Sequence, residues 1–366
     1  MTSILIIGAG VIGLQTAVTL LEAGYVVTIL AEHSPGDESI KYTSPWAGAI
    51  WRTHSAPHQV ELCQWDMESY RTWRQIIRDE PGRAKDMGIE GRPIYVYSAA
   101  TMFDTASPTL WFSSQVQNFS LVPAADLTPN CKSGYSYDSI VINPPVYLNY
   151  LASRARELGA QFVRARLPVD QGFTHAVKSA FAAVDRSEEE PRRDFAAVVN
   201  CTGLGAKELC QDESMYPIRG QTLLVRLTST KEVVRKRIIL QEDPAAAPAV
   251  TYCFPRPGTD MFLLGGTKKA DDSSPEPDGE TTKGIIARCR NVWPELRDAE
   301  IEVVSQQVGL RPGRKEGPRV EIEDVEIEHG RKVRVVHQYG HSGAGYQLSI
   351  GSAKKVLGLV RGILEA

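Results

Sequence analysis

Four consecutive apolar residues, Ile4-Leu-Ile-Ile7, run directly into Gly8-Ala-Gly10-Val-Ile-Gly13, and this stretch constrains the fold of the chain more than any other. A short unbroken apolar run bounded by glycine reads as a strand buried on both faces of a parallel sheet. In G-x-G-x-x-G the first glycine allows a tight turn and the second lets backbone approach a pyrophosphate. The third lets the following helix lie close on the strand. Leu14, Ala17, Val18 and Leu21 then share one helical face, and Gly24 supplies the stop. Val26 to Leu30 forms a second strand, and Glu32 stands nineteen positions after Gly13. An acid there accepts both hydroxyls of an adenosine ribose and repels a 2′-phosphate. Strand, turn, helix and acid in this order predict a ligand with an ADP half, FAD or NAD.

The remaining composition narrows the partners. A chain of 366 residues, 42% hydrophobic and with a formal charge of −3, has length for two domains and gives no reason to expect nucleic acid or an anionic membrane. No apolar stretch reaches the roughly 18 to 20 residues of a membrane span. The first strand begins at the N-terminus, so no signal peptide is expected. Cys63, Cys131, Cys201, Cys210, Cys253 and Cys289 are scattered without any C-x-x-C. They predict neither a metal site nor a disulfide framework, and fit a reducing intracellular compartment.

After Glu32 a polar loop leads into Thr43-Ser-Pro-Trp-Ala-Gly-Ala-Ile-Trp-Arg-Thr-His54, where small residues among aromatics suggest backbone packed against something flat. His58 to Arg78 has the spacing of an amphipathic helix with Leu62, Trp65, Trp73, Ile76 and Ile77 inward. Gly91 to Tyr97 reads as a strand, followed by a poorly periodic region to about Ser139. A helix opens at Pro145 and ends at Gly159; Phe162 to Leu167 returns as a strand, and Ser187 to Arg193 as a solvated turn. Ala196 to Gly205 is a second buried strand ending in glycines, which would complete the first sheet. From Pro217 to His337 the pattern is longer β-type runs: Gln221 to Leu227, Val250 to Phe254, Met261 to Leu264, Ile301 to Val308 and Val333 to Val336. One helix, near Thr282 to Val292, interrupts them. This predicts a mostly antiparallel substrate-binding sheet. A last glycine turn, Gln338 to Gln347, enters a helix carrying Leu348, Ala353, Val356, Val360 and Ile363.

Nine segments in order resemble the D-amino-acid oxidase and D-aspartate oxidase family, in its fungal form. They are Gly8 to Gly13, Ser44-Pro-Trp-Ala-Gly-Ala49, Val198-Val-Asn-Cys-Thr-Gly203, Arg219-Gly-Gln221, Tyr252 with Pro255-Arg-Pro257, Gly265-Gly-Thr267, Val308-Gly-Leu-Arg-Pro312, Gly317-Pro-Arg-Val320, and Tyr339 to Gln347. The resemblance implies a Rossmann-like, α/β FAD-binding domain interlocked with a mostly antiparallel β substrate domain. The division expected is 1–55, 145–215 and 335–366 for the first, and 56–144 and 216–334 for the second. The cofactor implied is FAD, bound without a covalent link. Its contacts would come from Gly8, Gly10, Val11, Ile12, Gly13, Glu32, Thr43, Ser44, Gly48 and Ala49, from Leu167, Thr202, Gly203 and Arg311, and from Ser342, Gly343, Ala344, Gly345, Tyr346 and Gln347.

By the same resemblance Arg311 and Tyr252 grip the substrate carboxylate, and Gly343 lies at the reacting centre. A guanidinium offers a carboxylate two parallel charge-assisted bonds in a fixed plane, which suits that task. Lys268 departs from the family pattern. Neutral-substrate fungal oxidases carry tyrosine after Gly-Gly-Thr and D-aspartate oxidases carry arginine, so a lysine there points to acidic D-amino acids, with Arg52 and His54 as possible support. The implied reaction is oxidative deamination of a D-amino acid, with molecular oxygen as second substrate and hydrogen peroxide as product. No protein acid or base is required. The alternatives are a broad or neutral-preferring D-amino-acid oxidase, a glycine- or sarcosine-type amine oxidase, and a non-catalytic flavin sensor. No metal, nucleic acid or membrane partner is expected, and the chain would act as a monomer or homo-oligomer. A peroxisomal setting follows from the resemblance, although the chain ends Gly-Ile-Leu-Glu-Ala without a Ser-Lys-Leu-type address, which would leave it cytoplasmic.

Overall fold

The structure is a computed structural model describing residues 2–105, 107–185, 194–228, 236–327 and 331–365. In chain order its first elements are β1 (Ser3–Ile7), α1 (Val11–Glu22), β2 (Val26–Ala31), α2 (Val60–Asp79), α3 (Pro81–Asp86), β3 (Ile89–Ser98), β4 (Ser120–Leu121), β5 (Ser133–Ile142), α4 (Pro144–Glu157), β6 (Gln161–Arg164), α5 (Gly172–Val184), β7 (Ala197–Asn200) and α6 (Ala206–Leu209). Then come β8 (Met215–Thr228), β9 (Ile238–Glu242), β10 (Ala249–Pro255), β11 (Met261–Thr267), β12 (Lys269–Ala270), α7 (Gly279–Val292), β13 (Glu300–Arg314), β14 (Arg319–Glu326), β15 (Lys332–Tyr339) and α8 (Gly345–Glu365). Two compact units result. The first holds Met1–Pro45, Leu148–Pro217 and Leu310–Ala366, and the second Trp46–Tyr147 and Ile218–Gly309. Residues 46–55, expected in the first unit, fall in the second, and residues 310–334, expected in the second, fall in the first.

The first unit is built on a sheet of order β14-β15-β7-β1-β2-β6. β1 pairs in parallel with β2 on one side (Ile4 opposite Val27) and with β7 on the other (Ile4 opposite Ala197). Leu5 and Ile7 face a cluster with Leu30, Val198 and Val335, closed by Val177 and Ala180 of α5. Ile4 and Ile6 point the opposite way and are also fully buried, which is why the run carries no polar alternation. Helices α1 and α8 pack against each other, and Thr16 of α1 donates to Gln338 Oε1 of β15 at 2.7 Å.

The sheet is not complete at residue 200. β15 lies parallel beside β7, with Val335 opposite Val198, and β14 pairs with it antiparallel. Val333 to Val336, expected in the second sheet, therefore belongs to the first. A doubly buried apolar strand fits any parallel neighbour, so its local pattern does not encode its partner. α5 and β14 went unread, and the strand expected to reach Leu167 stops at Arg164. Ser187 to Arg193 lies outside the described residues.

The second unit carries a sheet of order β12-β8-β11-β10-β9-β3-β5-β4, with β13 also paired to β8. Among the pairings with a described register, β3 with β9 is parallel and the others are antiparallel, the mostly antiparallel sheet expected. Leu223, Val225, Ile239, Cys253, Phe262 and Leu264 point to one face, where Ile285, Cys289 and Val292 of α7 cover them. Because side chains alternate, Tyr252, Phe254, Leu240 and Glu242 belong to the other face. β5, β9 and the short β4 and β12 went unread; β5 fills the end of the stretch expected to be irregular.

Candidate active site

In the first unit β1 delivers the chain to the glycine turn. Gly8 has φ +114°, and a Cβ there would come within 2.5 Å of the Cys201 carbonyl oxygen. A Cβ on Gly10 would sit 2.9 Å from Ser44 Oγ. That hydroxyl accepts from the Val11 amide at 3.0 Å, so Ser44 caps the entry of α1 where Gly10 has no side chain to do so. Tyr42 donates to the Ala9 carbonyl at 2.7 Å, Tyr346 to the Ser44 carbonyl at 3.0 Å, and Thr43 to the Leu310 carbonyl at 2.7 Å. The predicted residues Gly8 to Gly13, Thr43, Ser44 and Tyr346 are thus drawn together. Glu32 is exposed at the end of β2, with Arg166 Nε 3.8 Å away. Leu167 is buried against Leu5, Ile7 and Leu30. Thr202 donates its hydroxyl to Asn200 Oδ1 at 2.8 Å, and Gly203 has φ +58°.

The second glycine turn, Ser342–Ala344, leads into α8. A Cβ on Gly343 would lie 3.4 Å from Arg311 Cδ, so the half-buried Arg311 side chain runs alongside that backbone. His341, not singled out from sequence, is buried in this turn, and its Nε2 has no hydrogen-bond partner. Burial holds its imidazole neutral by pushing its pKa down to about 4. Its signal was only a histidine inside a glycine-rich turn.

The remaining predicted residues lie in the second unit. Tyr252 of β10 is half-buried and occupies the space that a side chain on Gly265 would fill. Its ring is roughly parallel to that of Phe254, with centroids 5.7 Å apart. The Gly48 carbonyl accepts from Arg256 Nη2 at 3.4 Å, and Ala49 exchanges backbone bonds with Ile142. Lys268 is exposed in the joint between β11 and β12, its amide donating to the Pro248 carbonyl at 2.8 Å. Arg52 forms an ion pair with Glu242, so its charge is matched within the second unit. Among the described residues no group of three or more His, Cys, Asp or Glu side chains could hold a metal, and no helix is long and apolar enough to cross a membrane.

The residues of the first unit fit a dinucleotide. Gly8 and Gly10 lack the Cβ atoms that would collide with Cys201 and Ser44, so the turn closes tightly at the entry of α1. This helix has no acid in its first turn, and His341 Nε2 awaits a partner. A mostly parallel sheet with this turn, joined in one chain to a unit built on a mostly antiparallel sheet, defines a dinucleotide-binding protein. Residues 3–358 match the DAO family of FAD-dependent oxidoreductases, and the chain belongs to that family. It is 32% identical to a D-amino-acid oxidase of Schizosaccharomyces pombe over 96% of this chain and 93% of that protein. It is 31% identical to a D-aspartate oxidase of Talaromyces thermophilus over 98% of this chain and 94% of that one. Among solved structures, glycine oxidase from Bacillus cereus superposes with a TM-score of 0.69 at 20% identity, covering 99% of this chain and 95% of that one. The cofactor is FAD, as for the family.

Proposed function

We propose that the chain oxidises D-amino acids to imino acids, which hydrolyse in water to 2-oxo acids and ammonia, and that it prefers acidic substrates. Supporting this are near full-length relatives named D-amino-acid oxidase and D-aspartate oxidase. The observation that carries it is Arg311 held along Gly343 at the mouth of α8. FAD, when bound, supplies a two-electron acceptor that molecular oxygen reoxidises to give hydrogen peroxide. The turns at Gly8 to Gly13 and Ser342 to Gln347, with Glu32 on the ribose, would hold it. Arg311 binds the substrate carboxylate through two parallel N–H donors, and the Tyr252 hydroxyl donates to the same group. With the carboxylate fixed, Cα has one orientation, and orientation rather than proton transfer carries the catalysis. Lys268 supplies a cation toward a second carboxylate on the substrate side chain. Peroxide formation across acidic, neutral and basic D-amino acids, with L-isomers as controls, tests this. We expect D-aspartate and D-glutamate to lead; activity on sarcosine but on no D-amino acid would reject it.

A further inference from the structure

The face of the second sheet opposite α7 carries a charged pair that the proposed reaction does not use. Tyr252 pairs across β10 and β9 with Leu240, and Glu242 lies two residues further along β9. Glu242 is therefore a diagonal neighbour of Tyr252 on the same face, at about 7 to 8 Å between Cα atoms. The segment from Gly48 to Arg52 pairs antiparallel with the end of β5, Ile50 opposite Val141, and starts against this face at Gly48. A Cβ on Gly48 would meet the Phe254 ring at 2.8 Å, the Trp51 amide donates to the Ile140 carbonyl at 2.8 Å, and Ser139 donates to the Trp51 carbonyl at 2.5 Å. Arg52 is thereby placed against Glu242. Its Nη2 pairs with Glu242 Oε1, its Nη1 lies 3.4 Å from His54 Nδ1, and its Nε is buried without a hydrogen-bond partner. The Arg52 side chain is 16% exposed and that of Glu242 33%, so the pair is only partly screened by water. The hydroxyl of Tyr137, on the same face through its pairing with Ile94, is also buried and unpartnered.

We propose that the Arg52–Glu242 pair sets side-chain specificity: Glu242 holds the Arg52 cation in check, so that Arg52 serves as a hydrogen-bond donor rather than as a full counter-charge. This rests on the D-amino-acid oxidase reading and deepens it. A pair of zero net charge admits neutral polar side chains through the open Arg52 Nε. Without Glu242, Arg52 becomes a desolvated cation that attracts a second carboxylate. Without Arg52, Glu242 repels that carboxylate and favours a cationic side chain. Lys268, exposed in the joint after β11, is a separate position whose contribution the Lys268→Tyr variant reads on its own.

The test compares kcat/KM for D-aspartate, D-alanine and D-lysine in wild type, Glu242→Gln, Arg52→Gln and the double variant, each confirmed as flavin-loaded by absorbance. Glu242→Gln should raise the D-aspartate to D-alanine ratio about tenfold, mainly through KM. Arg52→Gln should lower it about tenfold and raise D-lysine against D-alanine. The double variant should return to within about threefold of wild type, because the net charge at the pair is again zero. Ratios within twofold of wild type in both single variants, with the wild type active, would make the pair structural and overturn the inference alone. A flavin-loaded wild type inactive on every D-amino acid would overturn the underlying activity, and the inference with it.

Discussion

In the proposed function one side chain, Arg311, divides its work between packing and chemistry. Its stem lies along Gly343, and β13 fixes its backbone. Arg311→Leu should keep that apolar contact and bind FAD normally while losing the guanidinium. A charge-assisted pair left half-made costs on the order of 3 kcal/mol, so kcat/KM should fall about a hundredfold or more. A yellow Arg311→Leu protein with near-normal kcat/KM would remove Arg311 from the substrate. In the proposed function Lys268 biases the substrate preference, separately from the Arg52–Glu242 pair. Lys268→Tyr should lower the D-aspartate to D-alanine ratio by about tenfold and leave D-alanine turnover largely intact, whereas Lys268→Arg should keep the ratio. If the tyrosine variant has the wild-type ratio, Lys268 is a surface lysine. Sequence singled out Arg311 and Tyr252 because each sits in a segment that resembles the family, Val308 to Pro312 and Tyr252 to Pro257. Glu242 was not legible: nothing in Ile238-Ile-Leu-Gln-Glu242 distinguishes its last residue from a solvated strand end until β9 is seen beside β10.

At the scale of elements, the glycine turn between β1 and α1 is the most local and most legible device. Gly10→Val should leave the purified protein without FAD, since the added side chain meets Ser44 and fills the approach to the pyrophosphate. Glu32→Ala, which removes only ribose hydrogen bonds, should weaken FAD by a modest factor. Equal flavin content in Gly10→Val and wild type would contradict the fingerprint. A second device joins β7, β14 and β15. Buried His337 contacts Asn200 at 3.1 Å and Glu323 at 3.0 Å. Burial first, then the Arg319 charge, push its pKa down to about 4 against the pull of Glu323. Unfolded, a histidine titrates near 6.5, so the unfolded chain binds the proton more tightly. The stability from neutral His337 is therefore full above about pH 6.5 and is lost as pH falls toward 4, by up to about 1.4 kcal/mol per pH unit. Denaturant unfolding between pH 7 and 4 should show this slope, and a shallower one in His337→Gln. An identical slope in both proteins would assign the effect to other groups. The elements missed from sequence share a cause. β5 alternates tyrosine with serine, glycine and aspartate, which is weakly hydropathic although both Tyr135 and Tyr137 are buried. α5 is rich in small residues and has no side-chain cap to mark its start.

At the scale of the whole molecule, the chain visits each unit more than once, and no local pattern announces which return belongs where. Composition shifts near residues 217 and 337 suggested the boundaries, whereas the units divide at 217 and 309, within β8 and β13. Those strands run on through the change of unit, so periodicity gives no break to read. The placement of β15 beside β7 has a consequence for biosynthesis. β7 is complete at residue 200, but the strand that covers its outer edge ends at residue 339, about 140 residues later. At about 5 to 20 residues per second a ribosome needs roughly 7 to 28 s to make that length. Throughout that interval the nascent chain carries an apolar strand with one row of backbone N–H and C=O groups unmatched, a template for pairing with a neighbouring chain. Released chains truncated before residue 332 should therefore be protease-sensitive and retain no flavin, while chains extended through α8 should resist and retain it. Protection in the shorter chains would mean that the edge is shielded by other means. Otherwise emergence of β15 from the ribosome is the event that ends the exposure, and slower, cooler expression extends the window in which a chaperone must hold that edge.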